Sequence, residues 1–294
     1  MESLKRGWGF IIQSWQMAMA DKDLIKPSIY ALFAGFIVTI ILAIPIGVVS
    51  FLLQGFKGGQ YVIYILGAIL IFVQYTVGYI FSAMTVYLIY GYLAEGDGRM
   101  DKAWAVVKRE FWHIASLAAA STLVNLLKSG VRGKGKSAGR NLLAGVIETV
   151  WTEAAFLILP AMVIEDINLK DGIKRAAQII KDNLLLVGIS TVGVKTITGL
   201  IGFLLGALGV GLGFGVGLGI VTASQGSTAG LVTGVTLGIL IATPFIMVAT
   251  VVSSYTATAY HTCLYLWARD VERARQAGQT GEVSAPSPLA AVLP

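Results

Sequence analysis

Long apolar runs separated by short amphipathic segments make up most of this chain. No Lys, Arg, Asp or Glu occurs in 58–94 or in 196–268, and a helix needs about 20 apolar residues to cross the hydrocarbon core of a bilayer. We predict six membrane-spanning helices, at 28–54, 61–93, 111–127, 141–164, 184–221 and 228–267. The third is short for a full crossing, so a re-entrant segment is the alternative there.

Three charged segments, each preceding a pair of spans, carry apolar residues at helical spacing with basic residues on the opposite face. Their apolar stripes are Leu4, Trp8, Ile11, Ile12, Trp15 and Met19; Met100, Trp104, Val107 and Phe111; and Ile173, Ala176, Ala177, Ile180 and Leu184. This pattern is typical of helices that lie in the headgroup plane. It predicts three interfacial helices anchored by Trp8, Trp15 and Trp104, with basic faces toward anionic lipids.

One amphipathic segment followed by two spans occurs three times, which predicts an internal repeat. We divide a single membrane domain, 1–268, into units 1–97, 98–167 and 168–268, and expect 269–294 to be a disordered cytoplasmic tail. Alternatively, the amphipathic segments are only linkers, which explains their charge but not their apolar stripes. The predicted fold is an all-α polytopic bundle of transmembrane helices.

Composition and charge agree with a membrane location. Of 294 residues, 56% are hydrophobic and 13% charged, whereas soluble domains are about a quarter charged. The net charge of +6 comes from basic residues beside the spans, which favours lipid contact over nucleic-acid binding. With both termini in the cytoplasm, most basic residues share the cytoplasmic face of a cell membrane. The basic loop 128–140 is the exception.

The sequence contains one match to a nucleotide-binding motif and no catalytic motif. Residues 130–137, GVRGKGKS, fit the phosphate-loop expression, but that loop works between a strand and a helix. Here it joins two apolar helices, so we expect no nucleotide binding. His113 and His261 have no carboxylate or cysteine at ligand spacing, so we expect no metal site. We expect neither an enzyme nor a cofactor.

Ionisable residues inside the predicted spans are few, and such residues usually face a bundle interior or a water-filled cavity. Glu153 and Lys195 each lie eleven residues from the loop that joins their spans, about 16 Å into the membrane at 1.5 Å per residue. We predict that they pair, with Glu148 about 7 Å further across. The cluster is either an ion pair that locks the bundle or a polar site on a transport path.

Glycines recur at close spacing in the last two spans. Those predicted to pack helices are Gly202, Gly206, Gly209, Gly213, Gly217, Gly230, Gly234 and Gly238. Small residues four apart let helix backbones approach closely in membranes. Packing within the bundle or between subunits is one interpretation, and a flexible gating segment is the other.

Residues 151–183, WTEAAFLILPAMVIEDINLKDGIKRAAQIIKDN, resemble the core of an uncharacterised family of prokaryotic six-helix membrane proteins. The similarity is an aromatic-rich span ending in Pro160-x-x-x-x-Glu165, followed by a basic amphipathic helix. The opening 6–23, with two tryptophans, is similar to their N-termini. More loosely, the layout resembles the membrane domain of some bacterial glycerophosphodiester phosphodiesterases. The resemblance implies the architecture and a prokaryotic cytoplasmic membrane, but no activity.

Three functional hypotheses follow from the sequence. The first is a permease-like or channel-like bundle with Glu148, Glu153 and Lys195 lining its polar interior. The second is a structural or assembly protein whose glycines bind another membrane protein or a second copy. The third is a lipid-handling protein in which the interfacial helices and the loop 128–140 hold anionic headgroups.

Overall fold

The computed structural model of the protein describes residues 2–56, 58–132, 138–182, 184–278 and 283–290. Throughout these ranges the chain is helical apart from short turns, and no strand occurs in them. Six of the described helices are long and apolar enough to cross a membrane. The predicted all-α polytopic bundle is therefore confirmed, and the third predicted span is a helix of ample length. The phosphate-loop match at 130–137 lies largely outside the described residues.

The helices follow one order three times, a shorter amphipathic helix and then two long ones. Their bounds are α1 Glu2–Ala20, α2 Lys26–Leu52, α3 Gly59–Glu95, α4 Met100–Arg109, α5 Phe111–Arg132, α6 Ala138–Glu165, α7 Leu169–Asp182, α8 Leu184–Ala223 and α9 Thr228–Gln276, with a short α10 at Ser287–Ala290. This order agrees with the proposed division into three units. The division into three repeat units stays a prediction.

Asp21 fixes the junction between α1, α3 and α4. One carboxylate oxygen accepts a hydrogen bond from the backbone N–H of Asp23 at 2.9 Å, and the other accepts from the N–H of Gly98 at 2.7 Å. Helix α3 ends at Gly96, which adopts a left-handed conformation with φ of 79°, as glycine does without strain. A Cβ at Gly98 would lie 2.6 Å from Leu24 Cδ1 and 2.8 Å from Asp21 Oδ2, so a larger residue would displace the side chains that form this junction.

The second long helix of each unit lies at the centre of the molecule. Helices α3, α6 and α9 each contact the other two, whereas α2, α5 and α8 lie outside them. Most of the largest fully buried side chains fall on this trio, including Met84, Leu88, Leu157, Tyr260 and Tyr265. They belong to one apolar core near the ends of these helices that adjoin α1, α4 and α7. The opposite ends of the long helices expose apolar side chains, as membrane spans do.

Each amphipathic helix packs chiefly on the hairpin of the preceding unit. Helix α4 contacts α3, α7 contacts α6, and α1 completes the cycle by contacting α8 and α9. The buried faces of the three helices include Phe10, Met17 and Ala18 on α1, Ala103, Val106 and Val107 on α4, and Ala176 and Ile179 on α7. The predicted apolar stripes are therefore rotated from the observed contact faces, since these helices also pack on protein rather than on lipid alone.

Helix α1 makes hydrogen bonds to α9 that the prediction of a purely interfacial helix does not include. Trp15 was expected to anchor in the headgroups, but its Nε1–H donates to Thr256 Oγ1 at 3.2 Å. Tyr255 donates to the carbonyl of Ser14 at 3.0 Å, from a side chain that is fully buried. Trp8 remains 51% exposed, and Trp104 on α4 remains 40% exposed. These two tryptophans, unlike Trp15, are available to a membrane surface.

The C-terminal segment differs from the expected disordered tail. Helix α9 continues past Trp267 to Gln276, and residues 283–290 return to the bundle. Trp267 Nε1–H donates to the carbonyl of Val283 at 3.2 Å. Leu289 is fully buried in the core cluster, and α10 contacts α1 and α9. The apolar residues near the end of the chain supply the surface that holds this segment in place.

Candidate functional site

Glu153 lies between a lysine and a histidine from two other helices. Lys195 Nζ on α8 contacts Glu153 Oε1, and His261 Nε2 on α9 lies 3.1 Å from Glu153 Oε2. The structure thus brings together Glu153 and Lys195, as the sequence indicated, and adds His261. The side chains are 22%, 44% and 3% exposed for Glu153, Lys195 and His261 respectively. Glu153 therefore has a partner at each carboxylate oxygen, and the site is exposed at the surface of the helix bundle on the side of Lys195.

His261 is held in a fixed orientation by its own helix and by α6. Its Nδ1 lies 2.7 Å from the carbonyl oxygen of Ala257, and a carbonyl can only accept, so Nδ1 carries a proton. The imidazole stacks on Phe156, with ring centroids 4.6 Å apart and planes 12° from parallel. With Nδ1 bonded to Ala257 and one ring face stacked on Phe156, Nε2 is the atom that points at the carboxylate.

A groove with hydroxyl groups adjoins this triad between α6, α8 and α9. Its volume is about 610 Å³. The lining residues are Phe156, Gly202, Gly206, Ile246, Ala249, Thr250, Ser253, Ser254 and Ala257. The groove shares Phe156 and Ala257 with the surroundings of His261. A solute in the groove would lie beside the triad and next to the two serine hydroxyls.

Glu148 does not join this site. Its Oε1 lies 2.9 Å from Lys128 Nζ on α5, so the expected three-residue cluster is divided into two separate ion pairs. The reason is helical geometry, because five residues on an α-helix rotate the side chain by about 140°. Glu148 and Glu153 are about 7 Å apart along α6 and face different neighbours. Lys128 is the first residue of the basic loop 128–140, which six spans would place on the non-cytoplasmic side of the membrane, and its side chain is 14% exposed.

Hydrogen bonds between neutral side chains also link the spans. Ser121 Oγ on α5 lies 2.7 Å from Tyr79 OH on α3 and accepts from Trp151 Nε1 on α6 at 2.9 Å. Gln74 on α3 donates to the carbonyl of Gly35 on α2 at 2.9 Å. Such bonds hold helices together where hydrophobic association is weak. They connect the spans that lie next to the triad.

A second charged cluster lies where α4 meets α5 and where α6 ends. Glu110 is 2% exposed, with Arg109 Nε at 2.7 Å and His113 Nδ1 at 2.8 Å from its two oxygens. Arg109 also contacts Asp166 Oδ2 at 3.2 Å. Burial opposes ionisation of Glu110, but hydrogen bonds from Arg109, Asp166 and His113 hold its pKa below the ordinary value. The hydrogen bond shared with Glu110 raises the pKa of Asp166.

The two shifts are opposite because the two carboxyl groups share a hydrogen bond, so a proton that binds to the pair binds more readily at Asp166 than at Glu110. Because the pKa of Glu110 is depressed, its contribution to stability is present above the ordinary glutamate pKa and is lost as the pH falls below it. The raised pKa of Asp166 acts in the other direction, so stability falls as the pH rises above the ordinary aspartate pKa. The cluster connects three consecutive helices of the chain.

Five of the eight named glycines lie where α8 meets α9. A Cβ at Gly217 would lie 2.8 Å from the carbonyl oxygen of Gly234, and one at Gly238 would lie 2.7 Å from that of Gly213. At Gly209 a Cβ would lie 2.6 Å from Phe245 Cβ. The others differ: Gly202 and Gly206 line the groove, and Gly230 meets Ser224 in its own hairpin turn.

Sequence reasoning missed His261 as a partner of Glu153 and missed Glu110 with Asp166. His261 lies 108 residues from Glu153, so spacing along the chain gives no indication of the contact. A depth estimate like the one used for Lys195 fails because α9 extends nine residues beyond the predicted span end. Glu110 sits at a helix junction, where charged residues are usually solvated.

The fold and the site together define a multi-pass helical membrane protein with an ionisable triad between its spans. The chain matches no family model, no curated protein and no solved structure. Its resemblance to the six-helix prokaryotic family therefore stays a prediction.

Proposed function

We propose that this chain is a permease-like transport protein in which Glu153, Lys195 and His261 form a proton-binding site beside a groove for a small polar solute. The observation that carries the proposal is the triad, three ionisable side chains drawn from α6, α8 and α9 within the spans. Ionisable groups at such depth are costly and typically mark substrate or proton pathways. The exposed lysine side supports access to the site.

The triad has two arrangements that satisfy its hydrogen bonds. Nδ1 of His261 carries a proton in both, because it faces a carbonyl oxygen. In one arrangement a protonated imidazole donates from Nε2 to the Glu153 carboxylate; in the other a protonated Glu153 donates to a neutral imidazole. A single proton lies between Nε2 and Oε2 either way. Without that proton a nitrogen lone pair would face a carboxylate oxygen, so the site takes up one proton from water and can release it again.

The neighbouring groove provides a place for the solute. Ser253 and Ser254 supply hydroxyl groups that donate and accept, and Gly202 and Gly206 leave space on the facing helix. Binding of a polar solute beside Phe156, which stacks on His261, couples its position to that of the imidazole. Proton uptake and solute binding would then both involve the side of the groove formed by Phe156.

Flux measurements in liposomes test this proposal. The purified protein is reconstituted with a pH-sensitive dye inside, and a mixture of amino acids, sugars and small organic ions is added outside under an imposed membrane potential. We expect proton entry well above that of empty liposomes, reduced at least about tenfold by Glu153→Gln, which removes the carboxylate. Glu148→Gln is the matched control, because it removes a carboxylate from the same helix outside the triad. Equal effects of the two variants, or no flux with the natural protein, would reject the proposal.

The rival interpretation is that the triad only locks the bundle. Lys195→Met separates the two, since it keeps the apolar stem and removes the charge. A variant that inserts and purifies normally but loses flux supports transport. A variant that fails to accumulate in the membrane supports the locking role.

A second candidate function, assembly with another copy of the chain, has its own support. Gly211, Gly215 and Gly219 lie four apart on α8, and among the described residues nothing comes within 4 Å of a Cβ built at any of them. This open face repeats the small-residue spacing that joins α8 to α9. Gly215→Leu should then abolish energy transfer between two differently labelled copies in one bilayer, and unchanged transfer would exclude this face.

A further inference from the structure

A cleft opens between the first turns of α5 and the first turns of α7. Its volume is about 550 Å³. The residues that line it are Trp112, His113, Ser116, Asn168, Leu169, Lys170, Ile173 and Lys174. Because α5 begins its span at Phe111, the cleft lies where a span starts, at the depth of lipid headgroups.

The polar side of the cleft is basic. Lys170 makes no ion pair with another residue in the described part of the chain, and Lys174 pairs with Asp171 at 3.2 Å. Asp171 is itself bound by Asn168 Nδ2 at 2.9 Å. His113 uses Nδ1 to reach Glu110, which leaves Nε2 for the cleft. Two ammonium groups, a hydroxyl and an imidazole thus line the cleft, and no carboxylate is among its lining residues in the described part of the chain.

The apolar side of the cleft continues down the lipid-facing surface of α5. Trp112 is 78% exposed, although indole is among the largest apolar groups. Leu123 and Leu127, at 61% and 65% exposed, follow Trp112 on the same helical face at intervals that keep them aligned. An exposed tryptophan at a span end is typical of the headgroup level. The surface thus passes from cations to an indole and then to leucines.

We propose that this cleft binds the phosphate of an anionic phospholipid, with Lys170 and Lys174 on the phosphate and Trp112 against the glycerol and the upper acyl chain. The order of groups along the protein surface, from lysines to tryptophan to leucines, matches the order of phosphate, glycerol and acyl chain in such a lipid. Lysine binds phosphate as a point charge without demanding one geometry, and the cleft is wide enough for a headgroup. The inference does not depend on the transport proposal, since the cleft lies outside the triad and its groove.

Native mass spectrometry of the full chain in detergent tests the inference, with phosphatidylglycerol as the probe and phosphatidylcholine as the neutral comparison. We expect a retained phosphatidylglycerol whose affinity falls about tenfold or more in Lys170→Gln/Lys174→Gln. The control Lys108→Gln/Lys181→Gln removes the same charge from exposed positions on α4 and α7, and should change affinity less than about threefold. Equal losses in the two double variants would show general charge attraction and overturn the site.

Two further measurements distinguish a lipid from free phosphate. Inorganic phosphate at millimolar concentration should not displace the lipid. If phosphate displaces the lipid when the two are present at equal concentrations, phosphate alone is the ligand. Trp112→Ala should weaken phosphatidylglycerol binding, and Trp112→Phe should restore most of it, because an aromatic ring at the interface is enough. Unchanged binding in Trp112→Ala would refute the proposed contact of Trp112 with the glycerol and the upper acyl chain. Size-exclusion profiles identical to that of the natural protein establish that each variant is folded.

Discussion

The contact between α8 and α9 offers a test in which one residue is compared with its near neighbour. A Cβ added at Gly217 would lie 2.8 Å from the carbonyl oxygen of Gly234, short of the ordinary contact distance of 3.4 Å. The opposing atom belongs to a helix backbone, which cannot move aside as a side chain does. Gly217→Ala therefore has to push the two helices apart. Gly215→Ala, two residues earlier, places its Cβ in open space.

The expected cost follows from the geometry. Separating α8 and α9 at Gly217 also loosens the adjacent contact of Gly213 with Gly238, where the backbones are as close. Insertion of one methyl group into a tight contact typically costs about 1–3 kcal/mol. Both alanine variants gain the same helix propensity, up to about 1 kcal/mol in water. The difference between them therefore isolates the packing cost and should be about 1–3 kcal/mol.

The assay is reversible unfolding in mixed micelles with increasing dodecyl sulfate, monitored by helical circular dichroism and tryptophan fluorescence. Gly217→Ala should lower the free energy of unfolding relative to Gly215→Ala, which should unfold close to the natural protein. If the two variants unfold at the same dodecyl sulfate concentration, the close approach of α8 to α9 is not what stabilises the hairpin. A more stable Gly217→Ala would contradict the geometry directly.

Three other predictions concern polar contacts. Glu110→Gln should flatten the acid limb of a plot of thermal midpoint against pH, because the depressed pKa of Glu110 makes stability fall as the pH drops; an unchanged limb would refute this. Tyr255→Phe removes the bond to the Ser14 carbonyl and should destabilise by about 1 kcal/mol, seen as faster hydrogen exchange in α1 but not in α4. Ser121→Ala removes the hydroxyl that accepts from Trp151 and hydrogen-bonds with Tyr79, and should cost about 1–3 kcal/mol in the same unfolding assay; no loss would mean that Trp151 and Tyr79 find other partners.

The spans and the Glu153–Lys195 contact were accessible from sequence for a simple reason. Both residues were counted from the same loop, and two antiparallel helices joined there place equal counts at equal depth. The same arithmetic failed for Glu148 because depth alone says nothing about the face of the helix. The contact of His261 with Glu153 could not be predicted from the sequence, because α9 enters the bundle from a different loop. Only the packing of α6 on α9 brings the two residues together.

The rotation of the amphipathic faces has a related cause. The sequence stripe was drawn through the largest apolar residues, such as Trp8, Met19 and Trp104, and two of these are about half exposed or more. The faces that contact the bundle contain other residues as well, among them the small Ala18 and Ala103 and the polar Ser14, whose buried hydroxyl donates to the carbonyl of Ile11. A helix between protein and lipid has apolar surface on both sides. The hydrophobic pattern therefore predicts that each amphipathic helix forms, but not which of its faces packs against the bundle.

The position of the triad relative to the packed core has consequences for how its residues can be changed. Glu153 directly precedes the buried run of α6, and His261 lies inside that of α9, so the site sits where the central trio stops being tightly packed. On the His261 side the imidazole is enclosed by Phe156 and Tyr260, and its removal leaves a cavity that destabilises the fold. On the Lys195 side the chain is 44% exposed, and little packing is lost. Substitution of Lys195 can therefore test the proposed proton exchange without a large loss of stability, whereas substitution of His261 cannot, and Lys195 is the residue at which transport and locking are best distinguished.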